Sequence, residues 1–158
     1  MDQDRIERSV EIDASKERVW EIITKPEHVG RWFGQGTPAV VDLRVGGVME
    51  IEPAKGERCL TQIVAVTPPD YFAYRWAAAY PGVLADETNS TLVEFRLTEE
   101  AGKTRLTLCE SGFAALAIPT GREVFASYDS HNQGWGEVLV NLARYAEEQF
   151  PSQEHAHA

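Results

Sequence analysis

Residues Gly134 to Gln149 read GWGEVLVNLARYAEEQ. Trp135, Val138, Leu139, Leu142 and Tyr145 recur at spacings of three and four, which is the apolar stripe of an amphipathic helix. Glu137, Asn141, Arg144, Glu147 and Glu148 take much of the remaining surface. Extended upstream, the stripe takes in Tyr128 and His131. The helix therefore either runs from about Gly121 to Gln149 or breaks near Gly134, and Thr120 and Glu123 have the spacing of a capping box. Gly134 and Gly136 lack side chains and so permit a close approach of this helix to a sheet. Burying the five stripe residues contributes on the order of 8–15 kcal/mol before chain entropy is counted.

Working outward, the rest of the chain reads mostly as strands. Ile6, Arg8, Val10 and Ile12 share one face of a first strand, with Arg8 the odd inward residue. Ser15 offers an N-cap to a short helix carrying Val19, Trp20, Ile22 and Ile23. Pro26 starts a second short helix, to about Phe33, which carries Val29, Trp32 and Phe33 before Gly34. Val41, Leu43 and Val45 alternate up to Gly46-Gly47, and Val48 to Glu52 follows, so this reads as a hairpin. Cys59 to Val66 is a longer strand with Leu60, Gln62, Val64 and Val66 on a common face. Pro68-Pro69-Asp70 turns the chain into an aromatic stripe of Phe72, Tyr74 and Trp76. A loop from Ala77 to Ser90 precedes strands marked by Val93, Phe95 and Leu97 and by Leu106, Leu108 and Glu110. The order is an α+β pattern of antiparallel strands closed by a long helix. Sixteen helical residues span roughly 24 Å and a seven-residue strand roughly 23 Å, so the helix can lie along the sheet.

The totals narrow the function classes. The chain has 158 residues, 43% of them hydrophobic, and a formal net charge of −10. Residues 1–150 read as one domain and 151–158 as a disordered tail. The negative charge repels nucleic acid and anionic membrane surfaces, so neither is an expected partner. No apolar run approaches the roughly 20 residues that a bilayer span needs, and the charged start, MDQDRIERSV, lacks the apolar core of a signal peptide. The expected compartment is the cytoplasm, with Cys59 and Cys109 as reduced thiols. No His, Cys, Asp or Glu spacing marks a metal site, and no cofactor is expected.

Four stretches in this order resemble the activator of heat-shock-protein-90 ATPase homologue family, within the START-like SRPBCC superfamily. They are RSVEIDASKERVWEIIT, PEHVGRWFG, DLRVGGVMEIEP, and LTLCESGF followed by HNQGWGEVLVNLARYAEE. The resemblance covers about Ile6 to Phe150 and implies a helix-grip (START/Bet-v-1-like) fold. That fold is a seven-stranded antiparallel sheet curled around the C-terminal helix, with two short helices between strands 1 and 2. It also implies a cavity between sheet and helix. Superfamily members bind lipids, hormones or polyketides, and some are enzymes. A chaperone partner is not expected, because the chain carries one domain and lacks the additional chaperone-binding domain of the eukaryotic co-chaperones.

In such a fold the first and last strands are antiparallel neighbours, which brings Arg8 near Glu110. Glu110 shares strand parity with Leu106 and Leu108 and should point inward. A buried carboxylate demands a partner. Either it pairs with Arg8, or the strand ends before it, or it orients a ligand or moves protons in the cavity. Tyr128, His131 and Trp135 face the same way if the helix is continuous; otherwise His131 sits exposed at a frayed helix start. The candidate ligand-binding set is Trp32, Phe33, Tyr74, Trp76, Glu110, Tyr128, His131 and Trp135, with no assigned catalytic residue. The expected function is binding of a small hydrophobic or amphipathic molecule. The alternatives are a hydrolase or cyclase-type enzyme using Glu110, His131 or Tyr128, and a co-chaperone-like stimulator of the heat-shock ATPase. Unpaired strand edges also allow a homodimer.

Overall fold

Alternation along β1 (Arg5–Ile12) turns Ile6 and Ile12 into the core and leaves Arg5, Glu7, Ser9 and Glu11 exposed. The computed structural model describes residues 4–33, 39–54, 57–116, 118–122 and 127–149. The remaining strands are β2 (Val40–Val41), β3 (Val48–Ala54), β4 (Glu57–Thr67), β5 (Tyr71–Trp76), β6 (Thr91–Glu100) and β7 (Lys103–Ser111). They form one seven-stranded sheet in the order β1-β7-β6-β5-β4-β3-β2, antiparallel throughout. Between β1 and β2 lie α1 (Lys16–Thr24) and α2 (Pro26–Trp32), and the chain closes with α3 (Tyr128–Gln149). The helix-grip architecture implied by the resemblance is present.

Local chemistry explains most boundaries. The Ser15 hydroxyl accepts from the Arg18 amide at 3.3 Å and caps α1, which buries Val19, Trp20, Ile22 and Ile23. Pro26 opens α2, and Phe33 leaves the helix as its C-terminal flank, one residue earlier than expected; Gly34 lies outside the described residues. The start of α3 is set by Ser127, whose hydroxyl accepts from the Ser130 amide at 3.1 Å. Thus α3 begins at Tyr128, not near Gly121, and runs unbroken through Gly134. Glu123 and the tail 151–158 lie outside the described residues.

Two strand readings are corrected. The expected strand through Val45 shrinks to Val40–Val41, after which the chain folds on itself. The Gly47 amide donates to the Arg44 carbonyl and the Gly46 amide to the Ile63 carbonyl. A Cβ on Gly47 would stand 2.0 Å from the Asp42 carbonyl oxygen, so only glycine fits, and Leu43 and Val45 stay exposed. On β4 the inward face is Cys59, Thr61 and Ile63, not Leu60, Gln62 and Val64, whereas Val66, paired with Phe72, packs partly buried against the core. A register shift between Ile63 and Ala65 then re-phases the strand and leaves Val64 exposed.

The core lies between the sheet's inner face and α3. Phe72 and Tyr74 of β5, Val93 and Phe95 of β6 and Leu106 and Leu108 of β7 meet Trp135, Leu139, Leu142 and Ala146 of α3. Val138 and Tyr145 are only partly buried at the edges of this stripe. Of the two glycines, Gly136 faces β1: a Cβ there would lie 3.3 Å from Arg8 Nη1, whereas Gly134 has open space around it. Cys59 and Cys109 are both buried and form no disulfide. No helix among the described residues is long and apolar enough to cross a membrane.

Candidate functional site

Strand register builds the site. Tyr74, Val93, Glu110 and Ile6 stand in one row across β5, β6, β7 and β1, and Trp76 pairs with Thr91 in the neighbouring row. Parity turns Tyr74, Trp76, Thr91 and Glu110 inward, and all are buried. α3 crosses over them and lowers His131 and Trp135, one helical turn apart, onto the row.

Glu110 is the centre and is fully buried. Trp135 Nε1–H donates to Glu110 Oε1 at 2.7 Å, and the Thr91 hydroxyl donates to Oε2. His131 Nδ1 lies 2.8 Å from both carboxylate oxygens. The carboxylate therefore takes hydrogen bonds from β6 and from two positions of α3, a network that is costly to bury and strong once complete. Among the described residues, its ion-pair partner is His131.

Arg8 does not pair with Glu110. It stands opposite Leu108, half-buried, and its Nε donates to Asn132 Oδ1 at 3.2 Å. A buried carboxylate surrounded by uncharged and imidazole donors does not need the guanidinium, and α3 offers Arg8 a closer acceptor. His131 is likewise not exposed at a frayed end; it is 5% exposed. The Ser127 cap fixes the first turn of α3, and aromatic packing holds the ring.

Aromatic rings enclose the cluster. Trp76 stacks on His131 with centroids 4.6 Å apart and planes 19° apart, and Phe113 meets the same imidazole edge-on at 5.4 Å. Phe33 touches Trp76 at 5.5 Å, Trp135 at 5.4 Å and Trp32 at 5.5 Å. The Trp32 indole itself donates to the Ile22 carbonyl at 2.7 Å. Tyr128 is half-buried and packs on Phe113 at 5.5 Å, so it reaches the cluster only through that ring.

On the inner face of β5 two buried polar atoms are unserved: among the described residues, neither Tyr74 Oη nor Trp76 Nε1 has a hydrogen-bond partner. Burial pushes the Tyr74 phenol well above its ordinary pKa, and the negative Glu110 adds to the shift, so the phenol keeps its proton. No group of three or more His, Cys, Asp or Glu among the described residues is arranged to hold a metal.

Of the sequence-derived set, Glu110, His131, Trp135 and Trp76 converge directly. Trp32, Phe33 and Tyr74 flank them, and Tyr128 stands apart. Thr91 and Phe113 were missed. Thr91 was detectable, since it shares parity with Val93 and Phe95; Phe113 lies in the aperiodic run GFAALAIP and gave no signal.

Comparisons with known proteins agree with this architecture. DynU16, a protein in the dynemicin biosynthetic locus, superposes with a TM-score of 0.69 at 28% identity, covering 94% of this chain. This chain spans 49% of DynU16, about half its length. An HSP90 activator from Plasmodium falciparum matches at a TM-score of 0.71 and 19% identity over 94% of this chain and 98% of its own. The Aha1 dimer from Colwellia psychrerythraea matches at 0.68 and 18%, over 90% and 96%. These last two likenesses concern the fold. Among curated proteins no sequence matches. The family model described as Activator of Hsp90 ATPase homolog 1-like protein matches residues 13–147, and the chain belongs to that family.

Proposed function

We propose that this protein binds a small, largely apolar molecule between the sheet and α3, with the Glu110 cluster at the ligand's polar end. One observation carries the reading: a fully buried carboxylate is held by His131, Trp135 and Thr91 inside an aromatic shell. Apolar residues of similar volume would stabilise a core as well or better than a buried ionic network. Polar groups converging from separate elements on an apolar interior are the usual form of a small-molecule site. The likeness to a protein in a biosynthetic locus supports the same class. Trp32, Phe33, Tyr74 and Trp76 serve as walls and Tyr128 as part of the rim. Buried thiols outside any disulfide fit a cytoplasmic setting.

Native mass spectrometry of the full chain, purified from lysate without denaturation, tests the proposal. The expected result is a retained small-molecule adduct that Glu110→Gln weakens, with near-ultraviolet circular dichroism confirming a folded variant. The absence of any adduct, together with no response to a panel of apolar ligands, would sink it.

The carboxylate–imidazole contact favours a second reading, acid–base catalysis of a hydrolase or cyclase type on the bound molecule. A carboxylate on Nδ1 orients the imidazole and selects its tautomer. Turnover of the retained ligand by the native chain, and its loss in a His131→Gln variant that still binds, distinguishes catalysis from binding alone. The likeness to HSP90 activators at 19% identity speaks for the fold, and no observation at the site favours a chaperone role. A homodimer draws support from the dimeric Aha1 of Colwellia psychrerythraea. Sedimentation equilibrium showing only monomer would remove it.

A further inference from the structure

We propose that the ligand is a flat, uncharged ring system bearing oxygen acceptors, which Tyr74 Oη–H and Trp76 Nε1–H take as hydrogen bonds, and that anionic ligands are rejected. The inference rests on the binding reading above and names the chemistry of its ligand.

The argument starts from satisfaction of polar groups. An indole N–H is a donor only, and a buried donor without an acceptor is penalised. Most polar groups around these two are served. Trp135, His131 and Thr91 turn to Glu110, the Trp32 indole donates to Ile22, and the Thr61 hydroxyl donates to Met49. Tyr74 and Trp76 alternate on the same inner face of β5, both buried and both unserved among the described residues. The need is thus specific and shared: two donors want acceptors.

The surroundings fix the rest. The neighbours of the pair are ring faces and edges: His131, Phe33 and Trp135 around Trp76, Phe72 and Phe95 around Tyr74. Such walls accept a planar, polarizable body. With its proton retained, Tyr74 has an O–H to donate. The Glu110 carboxylate repels a second anion, and Arg8, the cation on the adjacent strand, is turned to Asn132. A carbonyl or ether oxygen on a neutral ring meets all three conditions.

The test compares three probes of one shape on the full chain: fluorenone, fluorene, and fluorene-9-carboxylate. Affinity is read by calorimetry and the indole N–H signals by nuclear magnetic resonance, with Trp76 assigned through Trp76→Phe. Fluorenone should bind about tenfold tighter than fluorene, the value of one good hydrogen bond near 1.4 kcal/mol. It should move the Trp76 indole signal, whereas fluorene should not. The carboxylate should bind at least about tenfold more weakly than fluorenone. Trp76→Phe and Tyr74→Phe should each shrink the ratio of fluorenone to fluorene affinity; either variant suffices if the other fails to fold. Equal binding of fluorenone and fluorene, or a preference that survives in both variants, overturns the inference and leaves the binding proposal standing. No binding of any probe, with no adduct in native mass spectrometry, overturns both. An ordered water bridging Tyr74 and Trp76 that fluorenone does not displace also overturns it.

Discussion

Arg8 and Glu110 stand on paired strands, two residues apart in register, and turn to different partners on the same helix. The guanidinium takes Asn132 at 3.2 Å, and the carboxylate takes His131, the preceding residue, at 2.8 Å. α3 thus separates two opposite charges that strand pairing had brought close. A double-mutant cycle of Arg8→Met and Glu110→Gln, followed by urea unfolding, should give a coupling of no more than about 0.5 kcal/mol, as for independent sites. A coupling well above about 1 kcal/mol would show that the charges still sense each other.

The two residues also differ in what their loss exposes. Glu110→Ala leaves a buried indole N–H, imidazole and hydroxyl without their acceptor, and should cost about 3–5 kcal/mol. Arg8→Ala loses one hydrogen bond at a half-buried position and should cost about 1–2 kcal/mol. Equal costs in urea unfolding would contradict the assignment of Glu110 as the centre of the network.

The glycines of α3 offer a graded test. Gly134 has open space where a Cβ would go, so Gly134→Ala should stabilise the chain by up to about 1 kcal/mol through helix propensity. Gly136→Ala should gain less, because its Cβ would lie 3.3 Å from Arg8 Nη1 and the guanidinium must shift. In an Arg8→Ala background that difference should vanish. Thermal unfolding of the single and double variants reads all three outcomes.

α2 is tied to α3 away from the site. His28 Nδ1 lies 2.6 Å from the Tyr145 hydroxyl, and the rings meet edge-on at 5.6 Å. Tyr145→Phe keeps the ring contact and should cost about 1 kcal/mol for the lost hydrogen bond. Because α2 leads into Trp32 and Phe33, amide exchange across Pro26–Trp32 should accelerate in the variant. Unchanged exchange would show that the latch does not hold α2.

Alkaline stability should follow Tyr71. Burial, together with its hydrogen bond to Glu94, pushes this phenol up to about 12. In the unfolded chain a tyrosine ionises near 10. The folded form therefore holds its proton longer, so its contribution is fully present below about pH 10 and is lost as pH rises towards about 12. Urea midpoints measured from pH 9 to 12 should fall across that window, and the fall should be shallower in Tyr71→Phe. Tyr74 ionises with a shift in the same direction, so the variant flattens the decline without abolishing it.

Periodic segments were legible in the sequence, and contacts between distant segments were not. The stripe from Trp135 to Leu142, the aromatic face of β5 and the inward parity of Glu110 all follow from spacing alone. Spacing misled where backbone hydrogen bonds interrupt it, as at Leu43 and Val45, where the chain folds back at Gly47, and along β4, where a register shift re-phases the strand. The partner of Glu110 was beyond reach for a different reason. Arg8 is 102 positions away and His131 21, and the choice between them depends on how α3 is rotated over the sheet. That rotation is set by the sum of its packing, with no single residue announcing it. Spacing alone leaves the burial of His131 open, because that burial depends on the cap at Ser127 and the ring of Phe113, both in stretches without periodicity.

The unbroken course of α3 has a consequence for how such a protein can change. Its first two turns carry His131 and Trp135; its later turns, through Leu139, Leu142 and Ala146, hold the core. Recognition and foldability are therefore written in separate stretches of one rod. Substitutions at 128–135 can redirect specificity while the anchoring half keeps the helix seated, and Gly134, with space around it, is the position at which a new side chain can enter without displacing an old one. The same division makes this helix a place to begin redesign: vary the front, keep the back, and let the sheet supply the opposite wall.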